Sequence, residues 1–388
     1  MRLRRRHGPP AGDGDGASGH VPATQWLLTE RSPDGARAPF VARIAGVGRC
    51  LPPTHRTTSE LMGTTRHRTR IDLERLTGIR ERRVSVGDES SLSLAVGAAR
   101  DCLTRSGRTA ADVDLVVSCS ITKYRDDLVQ WLEPTTSVAV AQAIGATGAT
   151  TFDLSNACAG TLTGVLVANN WVRSGAIRRA LVVSGEYISQ LGVNATRHVR
   201  SIMSRELASL TLGDAGAAFL VERAEQGEPG IDMVGFTTVA EHSRLCLAYP
   251  ARHQPGARMF TKSRALQRAA IADTPALLQE AVAAAGLRVD EIDRVIPHQT
   301  SARAIRTGMR QLGEALGAAP RNPAVVTVDR YGNTASTTHG VALVEELDAG
   351  RLRVGDRVAL IALASGIEIG VVLFTVDEGL EACRADHD

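Results

Sequence analysis

Apolar residues in this chain fall into two recurring formats. One is a short continuous apolar run, as in Val113 to Ser118 (VDLVVS) and Ala180 to Ser184 (ALVVS), which is of the length and continuity expected of a strand buried on both faces. The other is a longer stretch with apolar residues three and four apart, as in Ser91 to Leu103, which predicts a helix with one face against a core. In order, a strand at Phe40 to Val47 is followed by that helix, the strand at Val113, and a helix over Pro134 to Ile144. A strand at Thr151, a long helix after Cys158 and the strand at Ala180 complete the first series. A second series follows: a strand over Gly230 to Val239, a helix over Phe260 to Ala285, a strand at Arg294 to Pro297, and a helix over Ala302 to Leu316. It ends with a strand at Val325 to Val328, a helix over Ala335 to Leu347, and a hairpin from Arg357 to Leu363 and Ile367 to Val376. Strands alternating with helices predict an α/β fold with parallel sheets covered on both faces.

The repeated order predicts two related halves, 40–225 and 226–377, with their active site where strand ends meet, although no strong residue-level repeat is visible. The arginines at positions 2, 4, 5 and 6 lead into PPAGDGDGASGH, which reads as a flexible tail over 1–39 rather than a secretion signal, and 378–388 reads as a second tail. With 45 basic and 42 acidic residues the net charge is only +3, which gives nucleic-acid binding little support. The six cysteines are scattered without close pairs, so no metal site is expected and reduced thiols in a cytoplasmic protein fit the pattern. No apolar run approaches the length of a membrane span.

Three polar residues stand out by position. Cys158 in TFDLSNACAGT, His298 in VIPHQ and Asn333 in DRYGNTAS each follow a short apolar strand and precede a helix. Such junctions collect at one edge of an α/β sheet. A thiol at a helix start faces unpaired N–H groups and the positive end of the helix dipole, which predicts a lowered pKa and an acyl-accepting nucleophile. On the motif alone, a packed structural cysteine fits equally well. Histidine and asparagine can donate hydrogen bonds to a thioester oxygen as charge develops on it. The run GDAGA over 213–217 fits no phosphate-loop pattern and reads as tight packing.

These segments, with TGIRERRV, ALVVSGE, LGDAGAAFLV and VTVDRYGNTAS through GRLRVGD, resemble the thiolase-fold condensing enzymes, in particular the ketoacyl-acyl-carrier-protein synthase III branch. The resemblance covers nearly everything from Phe40 to Val376. It implies a five-layered αβαβα sandwich, a catalytic Cys158, His298 and Asn333, and an oxyanion hole from the backbone amides of Cys158 and Ser365. It also implies substrate contacts from Arg303 and Gly366, acyl-CoA or acyl-carrier thioesters as substrates with no bound cofactor, and a homodimer or a heterodimer with a related subunit. The tryptophan and arginine that grip CoA in many synthases are replaced by Asp72 and Leu76, and His339 stands where relatives usually carry an apolar residue. Only packing or a local hydrogen bond is expected of His339.

Two further departures bear on the reaction. Where typical synthases carry Phe-Pro this chain has Glu133-Pro134, and where they carry a glycine-rich segment it has LASG over 363–366. Both look like the OleA type, which joins two acyl-CoA molecules head to head. A decarboxylating enzyme makes its carbanion by losing carbon dioxide, whereas joining two unactivated thioesters requires a base for the α-proton. Glu133, on a loop that in the family crosses into the neighbouring subunit, is the expected base, and the product is a 2-alkyl-3-ketoacyl thioester for olefin, β-lactone or related lipids. Decarboxylative synthase chemistry or acyl transfer to another acceptor is the alternative. A helper subunit lending only Glu133 and dimer contacts is a third reading, against which the intact Cys, His and Asn set argues.

Overall fold

The computed structural model describes residues 25–28, 38–125 and 128–385. In chain order the strands are β1 (Gln25–Leu28), β2 (Ala42–Cys50), β3 (His55–Thr57), β4 (Glu81–Arg83), β5 (Leu115–Ser118), β6 (Thr150–Asp153) and β7 (Arg179–Glu186). They continue with β8 (Ala215–Arg223), β9 (Ile231–Thr238), β10 (Cys246–Pro250), β11 (Ala257–Thr261), β12 (Arg294–Pro297), β13 (Arg357–Ala364) and β14 (Glu368–Thr375). One five-stranded sheet has the order β2-β8-β7-β5-β6 and the other β1-β9-β14-β13-β12. Leaving out β1 and β6, the order β9-β14-β13-β12 repeats β2-β8-β7-β5 strand for strand.

Alternation along each strand divides side chains between layers. Leu115 and Val117 join a central core with Val182, Phe219, Val234, Leu360 and Val372, so both sheets face it. Filling that core are Leu162, Val165 and Val172 of the helix Gly160–Arg173 and Ala342, Leu343 and Leu347 of the helix Thr338–Asp348. Val116, Leu181 and Val183 point the other way, onto the helices Ser91–Arg105 and Thr136–Ile144. Val295, Ile361 and Val371 likewise meet the helices Ser263–Ala284 and Ala302–Leu316. Three cores separated by two sheets make the five-layered αβαβα sandwich of the thiolase fold.

The sheets are mixed rather than parallel. In the first, β5 pairs in parallel with β6 and β7, but β7–β8 and β8–β2 are antiparallel; in the second only β12–β13 is parallel. Connections without a crossover helix, such as the turn from β13 to β14, allow the antiparallel pairs. The segment expected as a strand at Val325 to Val328 is none, since Val325 N–H reaches the Val295 carbonyl at 2.9 Å but the chain then turns into the short helix Val328–Tyr331. Phe260, placed by periodicity in a helix, lies in β11 of the β10–β11 hairpin, and the helix starts at Ser263. Within the stretch read as a flexible tail, β1 pairs antiparallel with β9; the rest of 1–37 lies outside the described residues. The expected C-terminal tail instead continues into the helix Glu378–Glu381, capped by Asp377, with Leu380 and Cys383 buried in the central core.

Candidate active site

Cys158 occupies the middle of a single 3₁₀ turn, Ala157–Ala159, that leads from β6 into the helix Gly160–Arg173. Ala157 has φ +44°, a left-handed conformation that alanine adopts only at a cost. The same backbone device recurs in the second half, where Ala335 has φ +54° and opens the 3₁₀ turn Ala335–Thr337 before the helix Thr338–Asp348. Ser336 is thus the positional counterpart of Cys158, and the two turns are tied directly, because Thr161 donates its hydroxyl to the Ser336 carbonyl at 2.5 Å.

His298 follows β12 directly, its amide donating to the Ile361 carbonyl at 2.8 Å. Asn333 is held from both sides: its N–H donates to Thr211, its carbonyl accepts from Gly213, and its side-chain oxygen accepts from the Ala335 amide at 3.0 Å. That last bond fixes the amide orientation and leaves the Asn333 NH₂ group as the free donor end. Cys158, His298, Asn333 and Ser365 all line one cavity of about 780 Å³. Its walls are largely apolar, with Ile121, Leu191, Leu207, Met259, Ile271 and Met309 among them, a volume and lining suited to a chain-like ligand.

Glu133, Arg303 and Gly366 are not among the residues that line it. Glu133 is exposed on the loop before the helix Thr136–Ile144. Arg303 points outward and donates to the Arg75 carbonyl at 3.1 Å, beside Leu76, which does line the cavity. Gly366 lies in the turn between β13 and β14, one residue past Ser365. Asp72 is the N-cap of the short helix Leu73–Thr77, accepting from the Arg75 amide. Asp214 of the GDAGA run is a buried packing residue, accepting from the amides of Ser85, Ile188 and Ser189, and a side chain at Gly213 would collide with the Tyr331 carbonyl.

The electrostatics differ from what the helix start suggested. Burial pushes the Cys158 thiol up to about 12, with the negative charges of Cys246 and Glu186 adding to it and only its own backbone N–H opposing. A 3₁₀ turn between the sulfur and the helix proper weakens the dipole, and desolvation of the thiolate wins. Burial, with His339 nearby, also lowers His298 to about 3, so its imidazole is neutral. Near neutral pH the cavity therefore holds a thiol and a neutral imidazole.

Several site residues gave no isolated signal in the sequence. Glu186, fully buried at the end of β7, accepts from the amides of Ile121 and Thr122, the Thr122 hydroxyl and the Ser336 hydroxyl. Burial raises its pKa. A carboxylate closing an apolar strand is a signal that could have been read. Lys123, on the cavity wall, pairs with Asp153 at 2.5 Å, and Asp153 also caps the helix Thr136–Ile144 through the amides of Thr136 and Ser137. Cys246 lines the same cavity as Cys158. Among the described residues no group of His, Cys, Asp and Glu could hold a metal ion, and no helix is long and apolar enough to cross a membrane.

Comparison with known proteins agrees with this architecture. The 3-oxoacyl-[acyl-carrier-protein] synthase III family pattern matches residues 152–240, and its C-terminal pattern matches 282–376. A β-ketoacyl-[acyl-carrier-protein] synthase III of Deinococcus deserti is 31% identical over 300 residues, covering 76% of this chain and 80% of the relative. That of Symbiobacterium thermophilum is 31% identical over 313 residues, covering 76% and 86%. The crystal structure of the Aquifex aeolicus synthase III superposes with TM-score 0.73 at 25% identity, over 86% of this chain and 100% of the other. A Xanthomonas campestris OleA glutamate-to-alanine variant gives 0.73 at 25%, over 87% and 98%. An OleA cysteine-to-serine variant with bound lauric acid and lauroyl-CoA shares the fold at TM-score 0.75 and 24% identity, over 87% and 99%. With its strand orders, its paired turns and these relatives in agreement, the chain belongs to the 3-oxoacyl-[acyl-carrier-protein] synthase III family, and is an acyltransferase of the thiolase-fold condensing enzymes.

Proposed function

We propose that the chain joins two acyl thioesters without decarboxylation. Cys158 attacks the carbonyl of the first acyl-CoA, the bond to CoA sulfur breaks, and the thiol proton leaves as CoA-SH. A carboxylate then takes the α-proton of the second acyl-CoA. The resulting enolate carbon attacks the acyl-Cys158 carbonyl, and the displaced Cys158 sulfur recovers the proton from that carboxyl group. The product is a 2-alkyl-3-ketoacyl thioester, a precursor for olefin, β-lactone or related lipid synthesis. Neutral His298 and the Asn333 amide donate to the enolate oxygen, and the backbone N–H groups of Cys158 and Ser365 hold the acyl oxyanion.

The observation that carries this reading is the setting of Glu133. It lies outside its own cavity, in a loop where Val129 and Leu132 are 64% and 75% exposed, with Val138 also exposed. A carboxylate flanked along the chain by exposed apolar side chains is what a second copy of the chain would cover, placing Glu133 at the partner's cavity. Burial there would raise its basicity. OleA variants at one glutamate and one cysteine, which lie one residue farther apart in that sequence than Glu133 and Cys158 do here, support the pairing. The exposed arginines at 303, 306 and 310 of the helix Ala302–Leu316 suit the phosphates of CoA or of a carrier protein.

Decarboxylative condensation with a malonyl thioester is the second reading, favoured by the curated relatives, which carry the synthase III name. One assay separates the two. Wild type given two acyl-CoAs should form the condensed product, and Glu133→Ala should still acylate Cys158 but form none. Undiminished product from the variant overturns the base assignment, and turnover only with a malonyl thioester and release of carbon dioxide establishes the alternative.

A further inference from the structure

His339 is completely buried, on the first turn of the helix Thr338–Asp348. Its Nε2 lies 3.0 Å from the Ile361 carbonyl. A carbonyl accepts, so Nε2 carries the proton and donates, and the ring is the Nε2–H tautomer with a bare Nδ1. That Nδ1 is buried and without a hydrogen-bond partner, as is Nδ1 of His298. The Ile361 carbonyl is the same one that accepts the backbone amide of His298 at 2.8 Å. Both of its lone pairs are therefore used, one by His298 and one by His339. The two imidazoles stand 6.2 Å apart between centroids, inclined at 35°.

This shared acceptor joins three elements. His298 directly follows β12, Ile361 belongs to β13, and His339 belongs to the helix entered from the Asn333 loop. The oxyanion donors hang from the same three places: the His298 ring at the end of β12, Ser365 just past β13, and Asn333 ahead of the helix. An apolar side chain at 339 would fill the space but remove the hydrogen bond from the helix Thr338–Asp348 to the carbonyl that holds His298, leaving Gln299, through Val325, Thr327 and Val328, to tie the end of β12 to the chain ahead of Asn333. We propose that His339 is a positioning residue, holding His298 and Asn333 in register through the Ile361 carbonyl. Displacements of about 1 Å at a catalytic group cost rate by up to about a hundredfold, so the second hydrogen bond on this carbonyl has a large lever.

The reach of the donor, rather than the imidazole itself, is what the role requires. Glutamine can bring its Nε2–H to the Ile361 carbonyl, and leucine cannot. In a buried site glutamine leaves polar atoms unpaired where leucine leaves none, so leucine should be the more stable variant. Activity should run the other way. A merely structural role would make activity follow stability, and the opposed orders tell the two apart.

The inference rests on the condensation reading for its choice of substrate, so the test carries a readout that needs none. Wild type, His339→Gln and His339→Leu are compared for melting temperature, for turnover of two acyl-CoAs per folded protein, and for the rate of Cys158 alkylation by iodoacetamide, which senses the setting of the sulfur without an acyl substrate. Leucine is expected to lower turnover about tenfold or more with KM little changed, to slow alkylation, and to retain or raise the melting temperature. Glutamine is expected to restore most of both rates at a lower melting temperature. Equal rates in all three proteins, or glutamine no faster than leucine, overturn the proposal. If alkylation follows the expected order while wild type condenses no acyl-CoA, the condensation reading fails and the role of His339 stands.

Discussion

Cys158 owes its character to two neighbours that the sequence spells out but does not explain. Ala157, at φ +44°, turns the chain so that the sulfur faces the cavity, and a left-handed alanine costs about 1 kcal/mol relative to glycine. Ala157→Gly is expected to raise unfolding free energy by about that amount while lowering acylation of Cys158, measured by denaturant titration and by mass of the acyl adduct. The second neighbour is the apolar wall. With the thiol at about 12, the rate of Cys158 alkylation should climb about tenfold per pH unit through pH 9 and 10; a plateau below pH 8 would show that the helix dipole prevails after all. Periodicity was enough to single out Cys158 and His298, which do follow β6 and β12, whereas Asn333 lines the same cavity although the strand expected before it is the short helix Val328–Tyr331. The sign of the thiol shift was not readable, since it depends on which side chains close around the sulfur. His339 was legible only as an oddity; its bond to Ile361 spans sequence too widely for any local pattern to announce it.

At the scale of elements, the helix Ala302–Leu316 holds a further lever. Gly308 lines the cavity, and a Cβ there would meet nothing within 4 Å. Gly308→Leu should strengthen the helix by about 1 kcal/mol and project into the cavity, so the longest acyl-CoA accepted should shorten, as measured by kcat/KM across a chain-length series. Where β2, β7 and β8 meet, Glu222 accepts from Arg43, Arg108 and Arg179 at 2.6, 3.0 and 2.6 Å, and Arg43 also holds Asp377 at 2.8 Å. Burial alone would raise Glu222, but the three guanidinium groups outweigh it and hold the carboxyl down at about 2. Because its folded pKa lies below its ordinary value of 4.5, its stabilisation is complete above pH 4.5 and is lost as pH falls toward 2. Glu222→Gln should cost about 3 kcal/mol or more near neutrality and flatten the stability curve across that acid window, read by denaturant unfolding at stepped pH. The elements themselves were largely readable, the helix Ala302–Leu316 and β12 to the residue. Errors fell where tertiary pairing decides: antiparallel neighbours, the short helix at Val328–Tyr331, and the β10–β11 hairpin, whose last apolar residue, Phe260, reads as the start of the helix that follows.

For the whole molecule, the two halves divide the chemistry. In the proposed reaction the first carries Cys158 and Glu133, the second carries His298, Asn333 and Ser365, and residues of both halves line the cavity. If Glu133 works at a neighbour's cavity, mixing Cys158→Ala and Glu133→Ala proteins, each inactive alone, should restore turnover toward a quarter of wild type through hybrid dimers that keep one intact pairing; no recovery after subunit exchange would mean that Glu133 serves its own chain or none. The repeat of sheet orders was foreseeable from the order of strands and helices, but its sharpest residue-level trace, Ala157-Cys158 against Ala335-Ser336, is a match of backbone conformation that single-letter comparison does not rank. That trace has an evolutionary consequence. A fold with two equivalent turns meeting across its middle is the arrangement expected of a duplicated and fused ancestor in which either turn was open to specialisation. One descendant kept sulfur facing a ligand, while the other, Ser336, turned its hydroxyl inward to the Glu186 carboxylate and became scaffold.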